Sequence, residues 1–502
     1  MAFAKTDPNI KTTTRAIMVQ GTGSDVGKSL LVAGLCRALV HRGFNVRPFK
    51  AQNMSNNAAV TSDGGEIGRA QALQALACRA EPTIHMNPVL LKPEGETGAQ
   101  LVVQGRVDGR VRPKDFRNLK NKLLPTVMES FSILKNDADL VVVEGAGSPA
   151  EINLRIGDIA NMGFARAGDV PVILLGDVEK GGVIAQIVGT HAVLEPGERE
   201  QIKGFIINKF RGDIGLFADA VKEIETRTGW RAFGTVPWFD GARALPKEDS
   251  ASLQLWSESG KGKKGKIKIA VFKLPRIANF DDIDPLLNET DVEIIMLDSG
   301  DVLPLDTDVA IIPGSKSVIS DLRYLKAQGW DVDLKAFHRR GGRIIGLCGG
   351  YQMLGERVVD PDGCENPKPD EEPGLELLNI ESILTGDKTL EQVSGTEINT
   401  VENVSGYEMH LGLSEGPDRQ RPWFNLADGR VEGAISESGL VFGTYMHGLF
   451  QEDGFRHSFL SAISPTRKKG PSHFEKIDRA LDGLAHHLEQ HLDLDGILKL
   501  AK

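Results

Sequence analysis

Along the chain, short apolar runs alternate with segments whose apolar residues recur at helical spacing. Ala16-Ile17-Met18-Val19-Gln20 reads as a buried strand, and Leu30 to Val40 carries helical spacing after a Gly-rich turn. Further strand-like runs occupy Asn45 to Phe49, Leu140 to Val143, Val170 to Leu175 and Ile202 to Ile207, with helix-like stretches such as Gly68 to Arg79 between them. This alternation predicts βαβ units around a mostly parallel, doubly wound sheet. Near residue 250 the texture changes. Ala251 to Lys266 holds Lys261, Lys263, Lys264 and Lys266 among glycines, a solvated linker by composition. Ile267 to Phe272 opens a second α/β region, continued by Val292 to Met296, Val309 to Ile312 and Arg343 to Gly346. The polar stretch Asp360 to Pro373 reads as a surface insertion. Beyond Thr466, Ile477, Leu481, Leu484, Leu488 and Leu492 mark a helical tail, in which His486, His487 and His491 read as a solvated face rather than a metal site. The expected organisation is one α/β domain over 1–250, a linker over 251–266, a second α/β domain over 267–460 and a tail over 461–502.

Composition narrows the function. Lys plus Arg is 59 against 69 Asp plus Glu, a net charge of −10, which argues against a protein built to hold nucleic acid. Cys36, Cys78, Cys348 and Cys364 include no CxxC pair and form no disulfide framework, so a reducing compartment fits. No apolar run reaches the roughly 18 residues of a bilayer span, and Met1 to Arg15 lacks the apolar centre of a signal peptide. The expectation is a cytoplasmic protein with neither nucleic-acid nor membrane partners. The 56 glycines direct attention to turns and to close backbone approaches.

One such turn, Gly21-Thr22-Gly23-Ser24-Asp25-Val26-Gly27-Lys28-Ser29, lies between a strand and a helix, the context a phosphate-binding loop requires. Backbone N–H groups would cradle a polyphosphate, Lys28 would neutralise it, and the Ser29 hydroxyl would hold Mg2+. The spacing departs from G-x-x-x-x-G-K-[ST], because the first glycine, Gly21, falls one residue early and Thr22 stands where Gly is expected. Glu144, at the end of the strand Val141-Val142-Val143, is a candidate acid for Mg2+ or its water shell, with Asp63 or Glu66 as a second carboxylate. Asn208-Lys209, after another strand, resembles a pair that reads a purine edge.

Gly346-Leu347-Cys348-Gly349-Gly350 has the form of a nucleophile elbow, small residues flanking a side chain lifted from a strand end. The thiol lies at a helix N-terminus, whose dipole favours thiolate. The Gly349 N–H offers half of an oxyanion hole, and the loop Pro313-Gly314-Ser315-Lys316 a second donor. His447, before Gly448, is the candidate base. His410 either lines the same cleft or satisfies a local hydrogen bond.

Cys348, His447 and the Pro-Gly-Ser-Lys loop resemble the class I glutamine amidotransferases, and the Gly21–Ser29 loop resembles dethiobiotin synthetase and its relatives. Both domains in this order are similar to the cobyrinic/cobyric acid amidase family. Three strings, Phe49 to Ala58, Asp63 to Gln71 and Met86 to Pro93, resemble its cobyric acid synthase branch. The resemblance spans roughly residues 15 to 460. It implies an N-terminal phosphate-loop doubly wound sheet and a C-terminal class I glutaminase-type domain. It further implies ATP, Mg2+ and glutamine as ammonia donor, with the corrinoid adenosylcobyrinic acid a,c-diamide as substrate, amidated at the b, d, e and g carboxylates. Lys50, Gln52, Asn53, Asn56, Asn57 and Arg69 then become candidate substrate contacts. Most class I glutaminases carry a Glu two residues after the His. Here Leu449 stands there, so His447 works as part of a dyad or is oriented by another acid such as Glu408. Two alternatives are cobyrinic acid a,c-diamide synthase, against which the Lys50–Asn57 string speaks, and a partition-type ATPase switch, which leaves the Cys348 elbow unexplained.

Overall fold

The computed structural model describes residues 14–93, 98–246, 266–365 and 368–502. These divide into two compact units, Met1–Met54 with Ala70–Leu245 and Asp478–Lys502, and Ser55–Arg69 with Pro246–Ile477. The expected linker lies outside the described residues except for Lys266. The units depart from the expected boundaries in two places: residues 55–69 group with the second unit, and the tail from Asp478 groups with the first.

The first unit is built on β1 (Arg15–Gly21), α1 (Lys28–His41), β2 (Val46–Phe49), α2 (Arg69–Ala77), β3 (Leu140–Glu144), β4 (Val172–Asp177), β5 (Ile202–Phe210) and β6 (Arg231–Pro237). Its six-stranded sheet has the order β6-β5-β4-β1-β3-β2, every pair parallel. The strands are apolar throughout because both faces are covered; Met18, Val19, Val142 and Leu174 are fully buried. The chain leaves β1 toward β2 on one side and later adds β4 on the other, so the order reverses at β1. Ligands of such sheets bind beyond the strand ends at this reversal, where the Gly-rich loop stands. A smaller sheet of Gln52–Met54, Val89–Pro93, Ala99–Val103 and Arg106–Val111, absent from the sequence expectation, extends this unit. The tail returns to β1: Ala16 N donates to Lys502 O at 2.6 Å, and Lys502 N to Ala16 O at 3.3 Å.

The second unit holds β7 (Ile267–Phe272), β8 (Val292–Leu297), β9 (Val309–Ile312), β10 (Arg343–Leu347), α3 (Gly349–Met353), β11 (Glu381–Glu397), β12 (Asn403–Glu415), β13 (Ala434–Ile435) and β14 (Val441–Thr444). Its main sheet runs β8-β7-β9-β10-β14-β13, parallel except for the last pair. A second sheet is organised by the long antiparallel pair β11 and β12. The Asp360 to Pro373 stretch, expected as an insertion, contributes to it. Arg357–Asp360 pairs antiparallel with Asp370–Pro373. The hairpin Ala58–Val60/Glu66–Gly68 also belongs to this unit. All four cysteines are free thiols. Among the described residues, no helix is long and apolar enough to cross a membrane.

Candidate functional site

In the first unit, the loop after β1 closes on itself. Gly27 caps α1 at φ 92°, and a Cβ there would meet Asn208 Nδ2 at 2.5 Å, so glycine is required by both conformation and space. Asp25 also adopts positive φ, at 58°. Lys28 Nζ donates to Gly23 O (2.8 Å) and Gly147 O (3.0 Å). A Cβ on Gly21 would come within 2.8 Å of that ammonium. Thr22 Oγ1 donates to Gln186 Oε1 at 3.0 Å, and Gly23 faces open space. Asn208 Nδ2 donates to Val26 O at 2.9 Å, so its amide braces the loop. Lys209 is likewise tied to the Asp25 carbonyl and to Asp177.

Glu144 is fully buried and is the hub of this site. Its Oε1 accepts from Ser29 Oγ (2.7 Å) and Lys50 Nζ (2.9 Å), and its Oε2 from Gln74 Nε2 (2.6 Å). Gln74, on α2, carried no motif and was missed by the sequence reading. Lys50, a candidate substrate contact, is thus the counter-ion of Glu144. Asn53 Nδ2 donates to Gln71 Oε1 at 2.9 Å, while Gln52 Oε1 is buried and accepts no hydrogen bond. Among the described residues no group of three or more His, Cys, Asp or Glu is placed to hold a metal ion. A serine hydroxyl beside one buried carboxylate still fits Mg2+, which keeps most of its waters and takes few protein ligands. Asp63 lies exposed in the hairpin turn of the second unit.

In the second unit, Cys348 stands between β10 and α3 with φ 52° and ψ −108°, a strained backbone of the kind found at nucleophile elbows. The flanking glycines are required by space: a Cβ on Gly346 would lie 2.6 Å from Gly350 O, and one on Gly350 2.1 Å from Ile312 O. The expected oxyanion loop does run beside the elbow, because a Cβ on Gly349 would meet Ser315 N at 2.9 Å and one on Gly314 would meet His447 Cε1 at 3.1 Å. The Cys348 N–H is held by Thr444 O at 2.7 Å, and its thiol points toward Met409 O at 3.4 Å.

His447 is 1% exposed, and its Nδ1 donates to Asp282 Oδ2 at 2.7 Å. Asp282 Oδ1 accepts the Gly448 N–H at 2.6 Å, so both carboxylate oxygens are fixed. A carboxylate only accepts, so the Nδ1 proton is specified and Nε2 is left for the thiol. Burial pushes the imidazole toward neutrality, but Asp282 and then Cys348 carry its pKa up to about 10. Asp282 therefore fills the orienting position that the sequence left open. Glu408, the acid suggested for it, is instead bonded to Arg430 at 2.9 Å. Nothing in the sequence ties Asp282 to His447, which lies 165 residues away.

His410 stacks on Tyr445 with ring centroids 3.7 Å apart, and its Nδ1 bonds Gly412 O at 3.0 Å. Burial holds its pKa at about 4, so it is a neutral wall. With Glu408, Arg419, Arg430, Glu432 and Tyr445 it lines a cavity of about 520 Å³. Burial raises Glu432 to about 7, while Thr444 Oγ1 and Tyr445 N hydrogen-bond its carboxylate at 2.6 Å each.

Two of the six candidate substrate contacts are engaged elsewhere in this unit. Asn57 Oδ1 accepts the Asn279 N–H at 3.0 Å, and Arg69 forms an ion pair with buried Asp281. Asn56 Oδ1 is buried without a partner.

Thiol, imidazole and carboxylate in series form a nucleophile, base and orienter, the arrangement of acyl transfer through a covalent thioester. Residues 268–455 match the CobB/CobQ-like glutamine amidotransferase domain, and residues 17–253 the CobQ/CobB/MinD/ParA nucleotide binding domain. Fold and site thus define a two-domain protein that couples a nucleotide-binding sheet to an amidotransferase unit. The chain is 55% identical to cobyric acid synthase of Methylorubrum populi, over 97% of this chain and 99% of that one. It is 56% identical to cobyric acid synthase of Rhodobacter capsulatus, over 97% of this chain and all of that one. The chain belongs to the cobyric acid synthase family.

Proposed function

We propose that this chain is a glutamine-hydrolysing, ATP-dependent amidotransferase of cobalamin biosynthesis, converting four side-chain carboxylates (b, d, e and g) of adenosylcobyrinic acid a,c-diamide to amides. The observation that carries this reading is the Cys348–His447–Asp282 series in a chain that also holds the Lys28, Ser29 and Glu144 cluster. The cavity beside Tyr445 supports it. Arginine and carboxylate side chains in its lining suit a zwitterionic amino acid such as glutamine.

In the second unit, the Cys348 sulfur attacks the glutamine amide carbon, with the Gly349 N–H and the Gly314 loop stabilising the oxyanion. His447 Nε2 passes the thiol proton to the departing ammonia and then deprotonates the water that hydrolyses the thioester to glutamate. Asp282 holds the imidazolium through both steps. In the first unit, the carboxylate substrate attacks the γ-phosphoryl group of ATP, giving an acyl phosphate and ADP. Ammonia then displaces phosphate to leave the amide. Lys28 exchanges its two carbonyl partners for phosphate oxygens. Ser29 and Glu144 would hold Mg2+, which supplies charge neutralisation at the transferring group. Lys50 and Gln74 keep Glu144 in place. Reaction in the cytoplasm fits the free thiol that Cys348 must keep.

The test is to incubate the protein with the a,c-diamide, ATP, Mg2+ and glutamine and to read product masses. Four successive amidations are expected, and an unchanged substrate mass overturns the reading.

A further inference from the structure

Residues 55–69 lie inside the stretch matched by the nucleotide binding domain, yet pack within the amidotransferase unit. Their contacts converge on the acid–base pair. Asn57 Oδ1 accepts from Asn279 N, and Asn279 Oδ1 accepts from Ala58 N at 3.4 Å. Asn279, at φ 51°, caps the turn Phe280–Ile283 that carries both Asp281 and Asp282. Tyr407, whose ring stacks on His447 with centroids 5.2 Å apart, donates its hydroxyl to Ala58 O at 3.4 Å. At the end of the segment, Arg69 Nη2 pairs with Asp281, a side chain 2% exposed whose oxygens have no other partner. Two more bonds, Lys388 to Glu66 and Gln392 to Val60 O, hold the hairpin on β11. Two of these contacts therefore reach a residue adjacent to Asp282 in sequence or stacked against His447, and two more reach Asn279, which caps the turn that carries Asp282.

We propose that Arg69 is a positioning residue for the Asp282–His447 pair, completing the glutaminase site from a segment that precedes the linker. Burial pushes the Asp281 pKa up, the Arg69 guanidinium opposes that rise, and the neighbouring Asp282 adds to it. The ion pair fixes the turn one residue from the orienting carboxylate. Residues 267–460 by themselves are then an incomplete glutaminase. The proposal rests on the glutaminase reading of Cys348.

The test uses the full-length protein and compares wild type, R69M, R69K and the double variant R69M/D281N. Glutamine-supported and ammonia-supported amidation are each measured with ATP, Mg2+ and the corrinoid. R69M is expected to lower kcat with glutamine about 10- to 100-fold, the scale of a misplaced catalytic group. The KM for glutamine should stay within about threefold, and the glutamine-to-ammonia ratio should fall in parallel with kcat. R69K should recover a large part of the loss, since a single nitrogen makes the contact. R69M/D281N removes both buried charges, so it folds even if R69M does not, and it should still show the reduced ratio. A wild-type kcat with glutamine in R69M or in the double variant overturns the proposal. So does an equal loss with ammonia, which would place Arg69 at the corrinoid. If the wild type does not hydrolyse glutamine but amidates with ammonia, the glutaminase reading itself fails.

Discussion

Asp282→Asn is the sharpest perturbation of the amidotransferase unit. The replacement keeps the shape, and its carbonyl can still accept the Gly448 N–H, but it offers an N–H to His447 Nδ1. The imidazole proton must then sit on Nε2, the nitrogen that has to take the thiol proton. The charge effect has its own magnitude. His447 rises from 6.5 to about 10 in the folded protein, against its burial. At about 1.4 kcal/mol per unit this is about 5 kcal/mol, shared between Asp282 and Cys348. Half of it, about 2–3 kcal/mol, sets a floor of about 30-fold on the loss in kcat/KM for glutamine. The wrong tautomer carries the loss to about 1,000-fold or beyond. The same bond contributes to stability with a definite sign. Because the folded value lies above the unfolded one, the stabilisation is complete below pH 6.5 and is lost as pH rises toward 10. Urea midpoints of the wild type should decline across that window more steeply than those of the variant. Glutamate release measured from pH 6 to 10 checks the kinetics. A variant within threefold of wild type, with an unchanged pH profile, would refute the orienting role of Asp282.

Cys348→Ala should abolish amidation supported by glutamine and retain amidation supported by free ammonia, read by product mass; loss of both would make the thiol structural. Lys28→Ala should remove amidation from either nitrogen source, and persistence of activity with ammonia would sink the phosphate-loop reading. Gly443→Ala places a Cβ 1.9 Å from the ring of fully buried Tyr351, beside the elbow. It should destabilise the protein by about 3 kcal/mol through overpacking, measured as a fall in the urea midpoint.

Much of this was legible in the sequence because parallel strands buried on both faces leave unbroken apolar runs. β9 and the first four residues of β3 are such runs, and β1 and β7 each hold one of four residues, Ala16–Val19 and Ile269–Phe272. The elbow and the phosphate loop were legible because their glycines answer local backbone needs. Contacts set only by tertiary packing were not. Asp282 sits in Phe-Asp-Asp-Ile, where nothing local separates an orienting acid from a surface turn. The strands β11 and β12 carry many polar residues and Gly395, Gly406 and Gly412, so they show no clean apolar run. Lys50 and Asn57 were marked as polar residues beside a ligand, but an amide or ammonium that braces a buried partner looks the same in sequence. Arg69 followed suit, since its partner Asp281 lies more than two hundred residues further on.

The return of Lys502 to the backbone of Ala16 bears on how the chain is made. A ribosome releases β1 early, but Lys502, which bonds its first residues, emerges far later. The amidotransferase unit is in the converse position, because residues 55–69 emerge long before the strands that receive them. Domains usually fold in turn as they are synthesised. Here the first unit, although it begins first, needs Asp478–Lys502 and so cannot be finished before the second. Residues 55–69 must wait for β11 and β12, and α1 must wait for the leucines of His473–His491, two of which crowd Gly34. Splitting the gene at the linker would therefore yield two fragments, each lacking part of its own core.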